Sequence, residues 1–171
     1  MQGFVHVYTG EGKGKTTAAL GLALRAAGAG RRVFIAQFCK GGQSSEHVSM
    51  ERLADRITIR GFGSPDFIMS DPSAADITAA RDGLAVARDI ISGGEHGLVI
   101  LDEASVAVRL GLFTVDELLS VLDARPPHVE LVITGRDADP RLVARADLVT
   151  EMRNITHYFD RGVQAREGIE Y

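Results

Sequence analysis

Eight residues near the start of the chain constrain its fold more than any others: Thr9-Gly10-Glu11-Gly12-Lys13-Gly14-Lys15-Thr16. They follow a short apolar run at residues 4–8 and precede a helical pattern that starts at Lys15-Thr16. Strand, glycine-rich turn and helix in that order are the layout of a phosphate-binding P-loop. The glycines let the backbone curl so that its N–H groups face an anion, and the helix N-terminus adds the positive end of its dipole. Lys15 is placed to reach phosphate as a mobile charge, and Thr16 to offer its hydroxyl to Mg²⁺. The strict pattern fails at one position, because Thr9 stands where its first glycine belongs. Glu11 inside the loop is electrostatically unhelpful, so its side chain is expected to point away, outweighed by Lys13 and Lys15.

The rest of the chain reads as strands alternating with helices. Apolar strands are expected at residues 33–38, 57–59, 97–101, 130–134 and 148–151. The helix over residues 16–29 is apolar almost all round and rich in alanine, which suits close packing on a sheet. A second helix covers residues 73–92, with Asp71 or Ser73 near its start. Thr114-Val115-Asp116-Glu117 is a capping box that opens a third, stopped by Arg125-Pro126-Pro127. Asp139-Pro140 begins a short fourth. Residues 61–72, with Phe62, Phe67, Ile68 and Met69 among glycines and prolines, form a loop with exposed apolar side chains. A polar stretch ends the chain. Strands joined by helices mean right-handed crossovers, so the fold is α/β: a mainly parallel sheet with helices on both faces, of the RecA-like P-loop kind. At 171 residues it is read as a single domain, residues 1–171.

The ligand of such a sheet sits at the carboxyl ends of the strands. The glycine-rich loop, residues 37–42, Asp102-Glu103 and Thr134-Gly135-Arg136 all follow strands and should meet on that edge. Leu98-Val99-Ile100-Leu101-Asp102-Glu103 is an apolar strand ending in carboxylates, as Mg²⁺ on phosphates requires. Asp102 suits a supporting role. Glu103 is a metal ligand, a substrate contact or a water-positioning base. Arg136 is either a planar fork for phosphate oxygens or a solvated loop residue. Arg25 either pairs with an acid or reaches a ligand. Lys40-Gly41-Gly42 forms a further anion contact or a turn, and Cys39 packs rather than reacts.

Composition narrows the classes. A net charge of −4 provides no global field for nucleic acid, and no basic stripe is visible. No apolar run approaches the ~18 residues of a membrane span, and no signal segment precedes the first strand. One cysteine forbids an internal disulfide. These features suit a cytoplasmic protein. The five histidines lack metal-ligand spacing, so a structural zinc is not expected.

With these motifs on the page, the chain resembles the P-loop class of ATP:corrinoid adenosyltransferases over nearly its whole length. The resemblance rests on Tyr8 to Ala19, on Gln37-Phe38-Cys39-Lys40-Gly41, on Leu101-Asp102-Glu103 and on Arg125-Pro126. It continues through Ile133-Thr134-Gly135-Arg136, Ala146-Asp147-Leu148-Val149-Thr150-Glu151 and the tail Gly162 to Tyr171. The Thr-Gly-x-Gly-Lys-Gly-Lys-Thr-Thr loop is characteristic of that family and accounts for the missing first glycine. It implies transfer of the 5′-deoxyadenosyl group of ATP to Co(I) of a corrinoid, with release of triphosphate. ATP and corrinoid are then substrates and Mg²⁺ the cofactor. Thr9, Gly10, Glu11, Gly12, Lys13, Gly14, Lys15, Thr16 and Thr17 would hold the nucleotide with Arg25 and Arg136. Thr16 and Glu103 would hold the metal. The phosphates run through the loop in reverse sense, leaving the 5′ carbon facing the corrinoid. Lys15 and Glu103 carry the catalytic assignment with Phe62, which matches an aromatic residue that excludes the cobalt's lower ligand. The tryptophan of longer members is absent, and Ser64 lies near its position. Because the chain opens on the first strand, the likeness is to short members lacking an N-terminal helical extension. A homodimer is implied, and a flavoprotein is a candidate Co(II) reductant.

Two other functions share these motifs. A P-loop ATPase or small-molecule kinase would yield ADP and phosphate instead of triphosphate. A RecA-like nucleic-acid or regulatory module would bind ATP as a switch, and the acidic net charge counts against it.

Overall fold

A computed structural model of the chain describes residues 2–39, 45–63 and 71–170. Six parallel strands form one sheet: β1 (Val5–Thr9), β2 (Val33–Gln37), β3 (Ile57–Gly61), β4 (Leu98–Asp102), β5 (Glu130–Thr134) and β6 (Leu148–Glu151). Their order across the sheet is β3-β2-β4-β5-β1-β6. The helices are α1 (Lys15–Gly28), α2 (Ser45–Glu51), α3 (Ala74–Gly93), α4 (Ala104–Arg109), α5 (Val115–Asp123) and α6 (Pro140–Arg145), with a 3₁₀ turn at Tyr158–Arg161.

Alternation along the strands divides the core in two. On one face Val33, Ile35, Leu98, Ile100 and Val132 meet Ala19, Ala23, Ala26 and Ala27 of α1. On the other, Phe34, Ala36, Val99, Leu101, Leu131 and Ile133 meet residues of α3, α4, α5 and α6. β2 and β4 are buried throughout, as strands covered on both faces must be. The α/β class and the flanked parallel sheet agree with the sequence reading.

Local chemistry explains several boundaries. Ser73, not Asp71, caps α3, and Asp76 completes the capping box. Thr114 and Glu117 form the expected box on α5, and Asp139 caps α6 ahead of Pro140. Three points differ from the sequence expectation. α1 buries only its alanine stripe, and Leu24 is 56% exposed, so the helix is one-sided. α2 and α4 were not expected, because seven and six residues are too short for a clear period. Phe62 is half-buried, not exposed: its ring stacks on Phe38 at 6.2 Å and lies where a side chain on Gly83 of α3 would sit. Phe67, Ile68 and Met69 lie outside the described residues, as do Ser64 and Lys40-Gly41-Gly42.

Candidate active site

The crossover through α1 covers one face of the sheet and that through α3 the other. All connections leaving the strand ends therefore gather on the carboxyl edge. There the loop after β1 enters α1 through Gly14, whose φ of 117° opens the turn. No side chain caps α1, although α3, α5 and α6 are all capped. The N–H groups of its first turn are left for an anion. Lys15 Nζ folds back onto the loop and donates to the carbonyls of Gly10 (2.6 Å) and Gly12 (2.8 Å). Burial lowers its pKa, and the Arg136 charge adds to that effect. Phosphate oxygens would reverse both influences.

Asp102 is the centre of a second cluster. It is 3% exposed, and its Oδ1 accepts hydrogen bonds from Thr16 (2.9 Å) and Thr134 (2.7 Å). Its Oδ2 accepts from Gln37 Nε2 at 3.1 Å. Burial raises its pKa, opposed by the three hydrogen bonds. The Thr134 hydroxyl also accepts from the N–H of Glu103, which stands in left-handed backbone (φ 59°, ψ 20°) as the N-cap of α4. Left-handed backbone at a non-glycine residue is strain of the kind functional sites hold. It sets Glu103 at the rim of a cavity of about 1110 Å³ that Gly12, Lys15, Thr16 and Arg136 also line.

The cavity brings together most of the residues expected from the sequence: Glu11, Gly12, Lys13, Gly14, Lys15, Thr16, Thr17, Glu103 and Arg136. Glu11 pairs with Arg136 at 3.3 Å, so its carboxylate is occupied by that guanidinium. Thr9 and Gly10 form the back of the loop: Thr9 Oγ1 accepts from Ala138 N, and Gly10 supplies a carbonyl to Lys15. Arg25 is not brought in. It is exposed in the last turn of α1, ten residues and ~15 Å of helix rise from Lys15. Its charge acts instead on Tyr8. Phe62 is not part of the cavity wall either. Cys39 is buried, with its thiol pushed up to about 12 by burial and the nearby carboxylates, as an inert packing residue should be.

Sequence reasoning missed the chain end. Residues 152–170 return across the loop: Gly12 N donates to the Met152 carbonyl at 2.6 Å, and Lys13 Nζ donates to the Ile169 carbonyl at 2.6 Å. A side chain on Gly10 or Gly12 would strike the backbone of Met152 or Arg153 within 2.4–2.8 Å. These glycines therefore admit the neighbouring chain as well as an anion. Asn154, His157, Phe159 and Glu170 complete the wall. The only signal for this was a polar tail, which carries no periodicity. Gln37 and Thr134 were visible as strand ends, but nothing in the sequence linked them to Asp102.

Comparison with known proteins decides what this site belongs to. The family described as ATP:corrinoid adenosyltransferase BtuR/CobO/CobP matches residues 1–171. The chain belongs to that family. It is 34% identical over 171 residues to a corrinoid adenosyltransferase of Pseudomonas aeruginosa, covering 99% of this chain and 84% of that protein. It is 35% identical to the corrinoid adenosyltransferase CobA of Salmonella typhimurium, covering 99% and 86%. A third such protein, from Escherichia coli, is 34% identical over the same shares.

A divalent cation is the usual partner of ATP, and the residues fit one. Among the described residues no cluster of three His, Cys, Asp or Glu could cage a metal. A cation here would be held chiefly by phosphates, with Thr16 Oγ1 and one carboxylate, which is the manner of Mg²⁺ at P-loops.

Proposed function

We propose that this chain transfers the 5′-deoxyadenosyl group of ATP to the Co(I) of a corrinoid and releases triphosphate. The observation that carries the reading is the uncapped α1 N-terminus with Lys15 at the wall of the large cavity, in a chain matched end to end by an adenosyltransferase family. The cavity of about 1110 Å³ exceeds the ~300–1,000 Å³ of ordinary small-molecule sites, which suits two substrates. The ATPase or kinase alternative is not favoured by that family.

Chemically, Co(I) supplies the electron pair: a cobalt–carbon bond forms as the bond between C5′ and the phosphate oxygen breaks. The protein generates no nucleophile, so its work is positioning and stabilising the leaving group. The N–H groups at the start of α1 and the Lys15 ammonium meet the charge that builds on the departing triphosphate. Arg136, swung from Glu11, adds a planar fork. Thr16 and Glu103 would hold Mg²⁺, which would neutralise phosphate charge. The Thr16 hydroxyl donates its hydrogen bond to Asp102, so its oxygen would be free to act as a ligand. Arg25, a helix length from the loop, takes no part in this arrangement. Phe62 is assigned to the corrinoid side, at the end of β3 beside Gln37, whose carbonyl accepts from its N–H at 2.7 Å.

The same reading extends to context: one domain, a cytoplasmic location, a flavoprotein as reductant of Co(II), and a homodimer. Exposed Phe4, Leu24, Leu148 and Val149, and an edge strand β6 exposed along its length, support the last. No helix among the described residues is long and apolar enough to cross a membrane. Incubation with ATP, Mg²⁺ and chemically reduced corrinoid should give the cobalt–carbon absorbance and triphosphate in equal amounts. ADP and phosphate as the products would overturn the reading.

A further inference from the structure

Behind the phosphate loop lies a smaller cavity of about 130 Å³, lined by Thr16, Gln37, Cys39, Asp102 and Glu103 among others. Gln37 is 2% exposed and ends β2. Its amide nitrogen donates to Asp102 Oδ2 at 3.1 Å, while its amide oxygen is buried with no hydrogen-bond partner among the described residues. The orientation follows from the network. The Thr134 hydroxyl accepts a hydrogen bond from Glu103 N–H and donates its own to Asp102 Oδ1, and the Thr16 hydroxyl donates a second. An ionised Asp102 can only accept, and the amino end of Gln37 then satisfies its Oδ2. A buried carbonyl oxygen without a partner is costly unless something fills the gap. The cavity beside it is polar and large enough for several waters at ~30 Å³ each.

We propose that Gln37 is a positioning residue of the metal centre. Its nitrogen fixes Asp102, and through it the Thr16 hydroxyl, while its oxygen accepts a hydrogen bond from a water of the hydrated divalent cation. A side chain that donates at one end and accepts at the other is required there. A carboxylate lacks the donor and an aliphatic chain lacks both. Glutamine is the residue of matching length that has the two. The inference rests on the assignment of Thr16 and Glu103 to the cation.

The test measures ATP affinity by calorimetry with Mg²⁺ and with EDTA, in the wild type, in Gln37→Met and in Gln37→Glu. The wild type should bind more tightly with Mg²⁺. Gln37→Met, which keeps the length and loses both hydrogen bonds, should lose roughly 10-fold or more of that metal-dependent gain. Its affinity in EDTA should stay within about twofold. Gln37→Glu, which keeps an acceptor and adds charge, should lose less of the gain than Gln37→Met and guards against a simple packing defect in the latter. Equal losses with and without Mg²⁺ in both variants would make Gln37 a packing residue and overturn the proposal. So would an undiminished metal gain in Gln37→Met. If wild-type affinity is indifferent to Mg²⁺, the assignment of Thr16 and Glu103 to the cation fails first, and the inference with it.

Discussion

At the scale of single residues, Lys15 and Asp102 act in opposite ways. Lys15 donates only to carbonyls of its own loop and belongs to neither half of the core, so the sheet and helices pack without it. Lys15→Ala should fold with wild-type circular dichroism and lose roughly 1.5–3 kcal/mol of ATP binding, the worth of a charge-assisted contact. Unchanged affinity by calorimetry would remove the phosphate assignment. Asp102 is a liability to stability that the site retains. Burial raises its pKa, so the fold favours its protonated form. The stability tied to that form is present below the unfolded value near 3.9 and lost as pH rises through the raised one. Wherever the pH exceeds that raised value, the ionised carboxylate is destabilising. Asp102→Asn, which removes the charge and keeps the shape, should unfold at the same temperature or higher at pH 7. The same variant should lose the Mg²⁺-dependent part of ATP binding. A clearly lower melting temperature would mean that the carboxylate's hydrogen bonds outweigh its burial.

At the scale of elements, the contrast among helix ends is informative. α3, α5 and α6 are each capped by a side chain, whereas α1 and α4, the two helices that open onto the site, have no side-chain cap. Leaving N–H groups unsatisfied destabilises a helix by about 1 kcal/mol, an amount an anion returns. The segment after β3 shows a different compromise. Phe62 stacks on Phe38 and seats against Gly83, a packing role, yet it also follows β3 on the carboxyl edge of the sheet, which the proposed function gives to the corrinoid. Phe62→Ala should lower stability by roughly 1–3 kcal/mol, less than the ~3–5 of a fully buried phenylalanine. It should also slow adenosylation from a Co(II) corrinoid under mild reduction more than from pre-formed Co(I). Equal rate losses in both assays, with the stability loss, would leave packing as its whole role.

At the scale of the molecule, the exposed β6 edge and the apolar residues beside it should be covered by a second copy. Light scattering at micromolar concentration should therefore give twice the mass of one chain, and a monomer mass would exclude the dimer. The sequence by itself determined the class of sheet, the phosphate loop and the strand carrying Asp102 and Glu103. Each is written in local patterns: apolar runs of strand length, glycines at a strand-to-helix junction, acids at a strand end. Capping boxes were equally legible, because a cap and its partner lie three residues apart. Only the tertiary structure decided the rest. The strand order set which ends meet, and so joined Thr16, Gln37, Asp102 and Thr134, whose partners lie 32 to 86 residues apart. It left Arg25 a helix length from the loop, folded Phe62 onto Phe38, and laid residues 152–170 across Gly10 and Gly12. Such contacts depend on how crossovers wind over a twisted sheet, and a period in the chain records only which face a residue shows, not what it meets there.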